Sequence, residues 1–353
     1  MASGDGERVA AGRLGSIPLS AVSQSGRIAI LAGGCRTPFC RAKGGALVDL
    51  RADQLLAHVI GGCLRRGGLD PADMDEVVCG SVLQPGGGAA MARMAAFEAG
   101  LPAHCSVLAV NRQCASGLEA IAVVAGKLRE GGIRLGLGCG VESMSSTPMA
   151  TAAPVVAWEA ISRCESAAAC TLPMGVSSDN VARLFGVSRA SQDAFAAESH
   201  RRAARARRLG LTQREVVPLA GAVVDDGVRE DCSAEQLRGL RPAFTEGGTT
   251  TAGNSSQVSD GAAAVALAME STALARGLEI LGFWRSYAVV GVEPSIMGIG
   301  PVAAIPRALR LAGLTVADVD VFEINEVAAS LMPYRRSSYG RPSPRSACAA
   351  YRS

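Results

Sequence analysis

Three histidines, His58, His104 and His200, are all that the 353 residues contain, and the eleven cysteines include no Cys-x-x-Cys pair. Without Cys/His clusters at ligand spacing, no metal site is expected. The cysteines are scattered and no signal-peptide pattern precedes them, which points to a reducing compartment rather than a disulfide framework. The formal net charge is only +3, too small for an electrostatic footprint on nucleic acid. No apolar run reaches membrane-spanning length; the Ala-rich stretch after Cys114 is broken by Glu119, Lys127, Arg129 and Glu130. Neither nucleic acid nor the bilayer interior is therefore an expected partner. What is abundant is glycine, 42 residues, beside 48% hydrophobic and 19% charged residues. Over a length sufficient for about two buried cores, that composition favours a compact α/β protein with close backbone approaches.

Residues 111–118, NRQCASGL, organise the chain. A cysteine followed by small residues at the start of an apolar helix favours a reactive thiol, because unpaired N–H groups and the positive dipole end stabilise thiolate. Gly117, Ala120, Ala122 and Ala125 are expected to bury this helix against close neighbours and to shield the sulfur. Taken alone, the pattern fits an inert core cysteine equally well. Around it the chain alternates. Residues 28–32 read as a buried strand, and 52–66 as a helix with Leu55, Leu56, Val59, Ile60 and Cys63 on one side. Residues 76–80 read as a strand, 91–99 as a helix, 107–110 as a strand running into Cys114, and 135–139 as the next strand. A thiol at the carboxyl end of a strand is where α/β folds place ligands, and the alternation predicts a layered α/β domain to about residue 147.

Residues 148–247 are richer in charge and in helical patterns, with Ser188 placed to cap a helix. His200, among Arg201, Arg202 and Arg205, reads as part of a solvated basic face. This block is expected to be an insertion folded over the core, forming one wall of a binding site. From Thr249, glycine-rich turns lead into 262–269, read as a packed helix. Residues 282–284 and 288–291 look strand-like, MGIGPVAAIPRALRLAGL reads as a helix, and 319–326 as a strand ending in polar residues. The style of the first block returns, which suggests an internal duplication.

Taken together these motifs resemble the thiolase family, most closely its degradative 3-ketoacyl-CoA thiolases of the peroxisomal type. NRQCASGL, CGVESMS, LPMG, SQDAFAAESHRRA, RPAFTEGGTTTAGNSSQVSDGAAA, MGIGP and FEINE match in order between about residues 28 and 326. The resemblance implies the thiolase fold, two duplicated α-β-α layered halves with an inserted loop domain, the second half incomplete. The expected division is a leader at 1–26, an N-terminal half at 27–147 and 248–272, and an insertion at 148–247. A partial C-terminal half at 273–330 and a non-homologous tail at 331–353 complete it. The resemblance also implies thiolytic cleavage of 3-ketoacyl-CoA by a Cys114 acyl-enzyme, as in fatty-acid β-oxidation. Asn325 matches the asparagine that holds a water in an oxyanion site. Ser256 and Arg229 align with positions that bind the pantetheine and nucleotide portions of CoA, and Met174 and Phe244 with apolar walls around the pantetheine. Coenzyme A is the implied co-substrate, with no covalently bound cofactor; a homodimer and a peroxisomal location are implied, with mitochondria the alternative. In the leader, Arg13-Leu14 and Ser20-Ala21 fall short of a type-2 peroxisomal signal at Ser20.

The chain leaves the family pattern after Glu326. The family's Gly-His-Pro histidine, which activates the nucleophile, and its Cys-x-Gly-x-Gly cysteine, which protonates the enolate, have no counterpart; Cys348 sits in Ala-Cys-Ala-Ala. Residues 331–353 are basic and rich in Ser, Pro and Arg, a composition expected to be disordered. Impaired turnover and poor stability of the chain alone are the expectation, whether the tail replaces lost sequence or the protein is a non-catalytic thiolase-like partner that binds acyl-CoA or pairs with intact subunits.

Overall fold

A computed structural model describes residues 26–152, 154–327 and 329. Residues 1–25 of the expected leader, with the partial targeting motif, and the expected tail at 331–353 lie outside the described residues. Strands β1 (Ile28–Leu31), β2 (Cys35–Arg36) and β3 (Cys40–Arg41) open the fold, followed by α1 (Ala52–Gly67) and β4 (Glu76–Gly80). Helix α2 (Ala89–Glu98), β5 (Ser106–Val110), α3 (Ser116–Arg129) and β6 (Leu135–Ser143) complete the first block. The insertion contributes α4 (Trp158–Ile161), α5 (Glu165–Ala169), α6 (Met174–Phe185), α7 (Arg189–Arg208) and α8 (Ala234–Arg238). The chain then runs through β7 (Ser259–Met269), α9 (Glu270–Ala275), β8 (Ile280–Trp284) and α10 (Gly300–Leu311).

One mixed sheet organises these elements, in the order β5-β4-β6-β7-β1-β8, with β2 and β3 also pairing with β7. Strands β5, β4 and β6 are parallel, whereas β7 runs antiparallel to β6 over nine residue pairs, from Leu135 opposite Ala268 to Ser143 opposite Asp260. The expectation of a packed helix at 262–269 is thus overturned: these residues form the inner strand β7. An alanine-rich run carries neither helical nor strand periodicity, and burial on both sides suits a central strand as well as a core helix. The strand expected at 319–326 is not formed, and 288–291 is likewise outside any strand. Among the described residues no further strand lies beyond β8 to pair with them.

Helix α1 packs Leu55, Leu56, Val59, Ile60 and Cys63, all fully buried, into the main core. Gly68 ends it in the left-handed region (φ 60°) and donates its N–H to the Arg65 carbonyl. A smaller core on the other face of the sheet gathers Ile28, Val78, Ala120, Val124, Ala125, Leu128 and Leu267 under α3. The insertion is bolted to the sheet by Arg36. Its buried guanidinium donates to Asp225 Oδ1 (2.6 Å) and to Glu215 Oε1 (3.0 Å), and Asp225 also accepts the Phe39 N–H (2.8 Å).

Candidate active site

The carboxyl ends of β4, β5 and β6 and the amino end of antiparallel β7 share one rim of the sheet, and the Cys114 turn and the Ser256 loop adjoin it. β5 delivers residues 111–115 to this rim as a tightly tied turn. Asn111 donates from Nδ2 to the Val82 carbonyl (3.2 Å) and accepts the Gln113 N–H at Oδ1 (2.9 Å). The Ser116 hydroxyl accepts the Arg112 N–H (2.8 Å) and donates to the Gln113 carbonyl (2.6 Å). These bonds hold Gln113 at φ 49°, a left-handed conformation costly for a side-chain-bearing residue. Cys114 follows immediately, and α3 begins two residues later.

The reason α3 can start so close to the sheet lies in the strands. A Cβ at Gly80 would collide with the Ser116 carbonyl, one at Gly138 would come within 2.7 Å of Ile121, and one at Gly136 within 2.9 Å of Val124. Ala120 and Ala125 are buried as expected, but Gly117 and Ala122 are half-buried and Cys114 itself is exposed. The expected shielding of the sulfur by small helix residues is therefore not observed. Small residues of the sheet set the approach of the helix. The buried cysteines differ from Cys114 in exposure and chemistry: burial pushes the thiols of Cys63 and Cys79 up to about 12 and that of Cys35 to about 11, so they stay protonated and inert.

Beside the rim lies a cavity of about 140 Å³ whose lining includes Phe39, Phe195, Ser199, His200, Ser256 and Glu326. Buried Asn254 anchors its floor, donating to Asp193 on α7 (3.0 Å) and to the Thr249 carbonyl (3.1 Å). The Ser256 N–H donates to the Val327 carbonyl (3.0 Å) and the Ala329 N–H to the Asn254 carbonyl (2.8 Å), so the segment after Asn325 is pinned along the Ser256 loop. Ser199 donates to Glu326 Oε2 (2.7 Å), while burial pushes the Glu326 carboxyl up from its usual range.

His200 corrects the sequence reading. It is half-buried in the cavity wall rather than on a solvated face, and its Nδ1 accepts the Arg229 N–H (3.2 Å). Burial, and then the Arg229 charge, hold its imidazole below the usual histidine range. A signal for this existed: Phe195, Ala196, Ser199, His200 and Ala203 recur at helical spacing on one face of α7, although the neighbouring arginines dominated the reading.

Of the expected site residues, the structure brings Ser256 and the 325–326 segment together and sets Arg229 behind His200. Asn325 is exposed at the chain position before the cavity-lining Glu326. Away from these, Met174 opens α6 and the Phe244 ring lies on the next residue, Gly175, where only glycine leaves room for it. Asp179 holds that loop. Burial alone would raise its carboxyl, but hydrogen bonds from Thr245 and from the Thr250 N–H (2.9 Å) keep it below the ordinary range. Cys114, Arg229, Met174, Phe244 and Asn325 do not line the cavity. Among the described residues, no group of three or more His, Cys, Asp or Glu side chains could hold a metal, and no helix is long and apolar enough to cross a membrane.

Comparison with known proteins decides the family. The profile described as "Thiolase, N-terminal domain" matches residues 29–271, and that of "Thiolase, C-terminal domain" matches 278–338. The chain belongs to the thiolase family. It is 48% identical over 322 residues to the peroxisomal 3-ketoacyl-CoA thiolase B of Rattus norvegicus, covering 88% of this chain and 76% of that thiolase. It is 48% identical over 314 residues to the peroxisomal 3-ketoacyl-CoA thiolase of Homo sapiens, covering 85% and 74%. The crystal structure of the dimeric peroxisomal thiolase of Saccharomyces cerevisiae superposes with a TM-score of 0.87 at 38% identity, covering 92% of this thiolase chain and 85% of the yeast chain. Human mitochondrial 3-ketoacyl-CoA thiolase in complex with CoA gives 0.81 at 31% identity, covering 91% and 84%. The expected thiolase fold is borne out.

Proposed function

We propose that this thiolase cleaves 3-ketoacyl-CoA to acetyl-CoA and a shortened acyl-CoA, with Cys114 as the nucleophile, in the β-oxidation of fatty acids in the peroxisome. The observation that carries the reading is the exposed Cys114 on its strained turn at the sheet rim, while six of the nine other described cysteines are buried. The Cys114 thiolate attacks the 3-keto carbonyl carbon and its oxygen becomes an oxyanion. The Cα–Cβ bond then breaks, its electron pair leaves with the acetyl-CoA enolate, and a proton quenches that enolate. The thiol of a second CoA displaces the acyl group from Cys114. Asn325 is assigned the oxyanion water, Ser256 and Arg229 the pantetheine and nucleotide ends of CoA, and Met174 and Phe244 the apolar flanks. The protein is proposed to act as a homodimer, and the division into two thiolase halves around the 148–247 insertion belongs to the same reading.

The reaction also needs a base for the thiol and an acid for the enolate. None of the three histidines stands in a Gly-His-Pro context, and loss of a general acid or base typically lowers turnover by about 10²–10⁴-fold. The test is to mix the chain with acetoacetyl-CoA and a longer 3-ketoacyl-CoA, following thiolysis and intact mass. An acyl adduct on Cys114 with slow turnover is expected, both lost in Cys114→Ala. Extending the chain with the C-terminal residues of a peroxisomal relative is expected to raise turnover. An adduct on another residue, or turnover surviving Cys114→Ala, overturns the assignment.

A further inference from the structure

Two donors converge on one oxygen beside the Cys114 turn. Arg112 Nε, two residues before Cys114, and the Tyr287 hydroxyl both donate to Glu119 Oε2 in the first turn of α3. Tyr287 is not an incidental neighbour. Its ring centroid lies 6.2 Å from that of Trp284, and Trp284 packs on the apolar cluster under α3 that holds Ala120, Val124 and Leu128. The same segment is tied onward to α10, because Ser286 donates to the Ala308 carbonyl (2.7 Å) and Arg307 reaches the Val289 carbonyl (3.4 Å). A continuous path of contacts therefore runs from α10 through residues 284–289 to Glu119, Arg112 and the Cys114 turn.

An exposed ion pair alone is worth little. Here, however, the Glu119 side chain is largely covered, and two segments far apart in sequence meet on its carboxylate. The Arg112 hydrogen bond holds the Glu119 carboxyl below its usual range. Burial and the bond to Glu119 push the Tyr287 hydroxyl up to about 12, so it remains a donor wherever the protein is folded. We propose that Glu119 and Tyr287 are positioning residues for Cys114: they fix the Arg112 end of the strained turn and make the reactivity of the thiol depend on the seating of the C-terminal segment. This rests on the reading of Cys114 as the nucleophile.

Positioning and simple electrostatics predict opposite signs. If Glu119 acted only as a nearby negative charge, removing it would favour the thiolate, and Gln would serve as well as Ala. If it positions the turn, Glu119→Ala slows Cys114, whereas Glu119→Gln keeps an oxygen acceptor for both donors and preserves the rate. Two further carboxylates at this rim are untouched by either change: Glu142 accepts the Val82 N–H (2.8 Å) and Asp260 accepts the Ser145 N–H (2.8 Å).

The experiment is peptide-resolved iodoacetamide labelling of the full chain as a function of pH. In the parent, Cys114 is expected to react faster than the exposed Cys164 and Cys170. Glu119→Ala is expected to slow Cys114 by about threefold or more. Tyr287→Phe is expected to slow it in the same direction, and Glu119→Gln to match the parent. Superimposable profiles for all variants, or faster labelling in both Glu119 variants, overturn the proposal while leaving the nucleophile intact. Parent labelling of Cys114 no faster than Cys164 and Cys170 overturns the nucleophile reading itself. Buried Cys79 and Cys139 report folding: a variant that labels them has lost its core, and Tyr287→Phe, which removes only a hydroxyl, then carries the test.

Discussion

Helices α3 and α10 are written in similar terms and meet different fates. Both are short and amphipathic; α3 buries Ser116, Ala120, Val124, Ala125 and Leu128, and α10 buries none of its twelve residues. Val302, Ile305 and Leu309 define an apolar side of α10 as clearly as Ala120, Val124 and Leu128 do for α3. What differs is the surface beneath. Helix α3 lies on β4 and β6, opened by glycines to receive it, whereas among the described residues α10 meets the turn at 294–299 and the segment 286–289. An apolar stripe specifies which face needs a partner, and the partner supplies the burial that stabilises it.

The comparison can be tested first where its effect is largest. Leu56→Ala in α1 removes a fully buried side chain from the main core and is expected to cost about 2–5 kcal/mol. Leu309→Ala in α10, half-buried, is expected to cost under ~1 kcal/mol; urea unfolding of the two variants reads the difference directly. Equal losses would show that the two regions are held alike. Gly80→Ala comes next. Its Cβ collides with the Ser116 carbonyl, and overpacking at a well-fitted contact costs about 1–3 kcal/mol. The same change lifts the start of α3, so thermal stability and Cys114 labelling are expected to fall together, and loss of one without the other would separate helix seating from thiol placement.

The smallest effect is titration of the cavity wall. His200 is held low in the folded state, so the unfolded chain binds the extra proton first. Stability is therefore complete above about pH 6.5 and declines as the pH falls through that value. Glu326, held high, has the opposite sign: its contribution is present at low pH and lost as pH rises from about 4.3 through its folded value. Melting temperatures over this range are expected to flatten between about pH 5 and 7 in His200→Gln, by well under ~1 kcal/mol after solvent screening. An unchanged slope would remove His200 as its source.

The first block was legible because its elements carry distinct periods and boundaries. The expected helix at 52–66 became α1 at Ala52–Gly67, the strand at 76–80 became β4, and Ser188 does cap α7, accepting the Ser191 N–H (3.2 Å). The family resemblance extended this to the whole fold. Three things were hidden for physical reasons. The alanines of β7 carry no period, so an inner strand read as a helix. The close approach of α3 was sought in the helix's own small residues, but Gly80, Gly136 and Gly138 on the strands provide it. His200 was judged by its charged sequence neighbours, although side chains one residue apart on a helix point about 100° apart, and its own face joins Ala196 and Ala203, four residues before and three after.

The placement of β7 between β6 and β1 also dictates an order of assembly. During synthesis the nucleophile turn, α3 and β6 emerge early, but the strand that completes their sheet is made only after the whole insertion has been translated. Until then β6 has one unpaired edge, β1 has no neighbour, and the first block can do no more than collapse around its parallel strands. Pairing over so long a separation in sequence is slow to find. A ribosome stalled within the insertion would therefore hold a half-sheet with exposed edges, a natural client for chaperones.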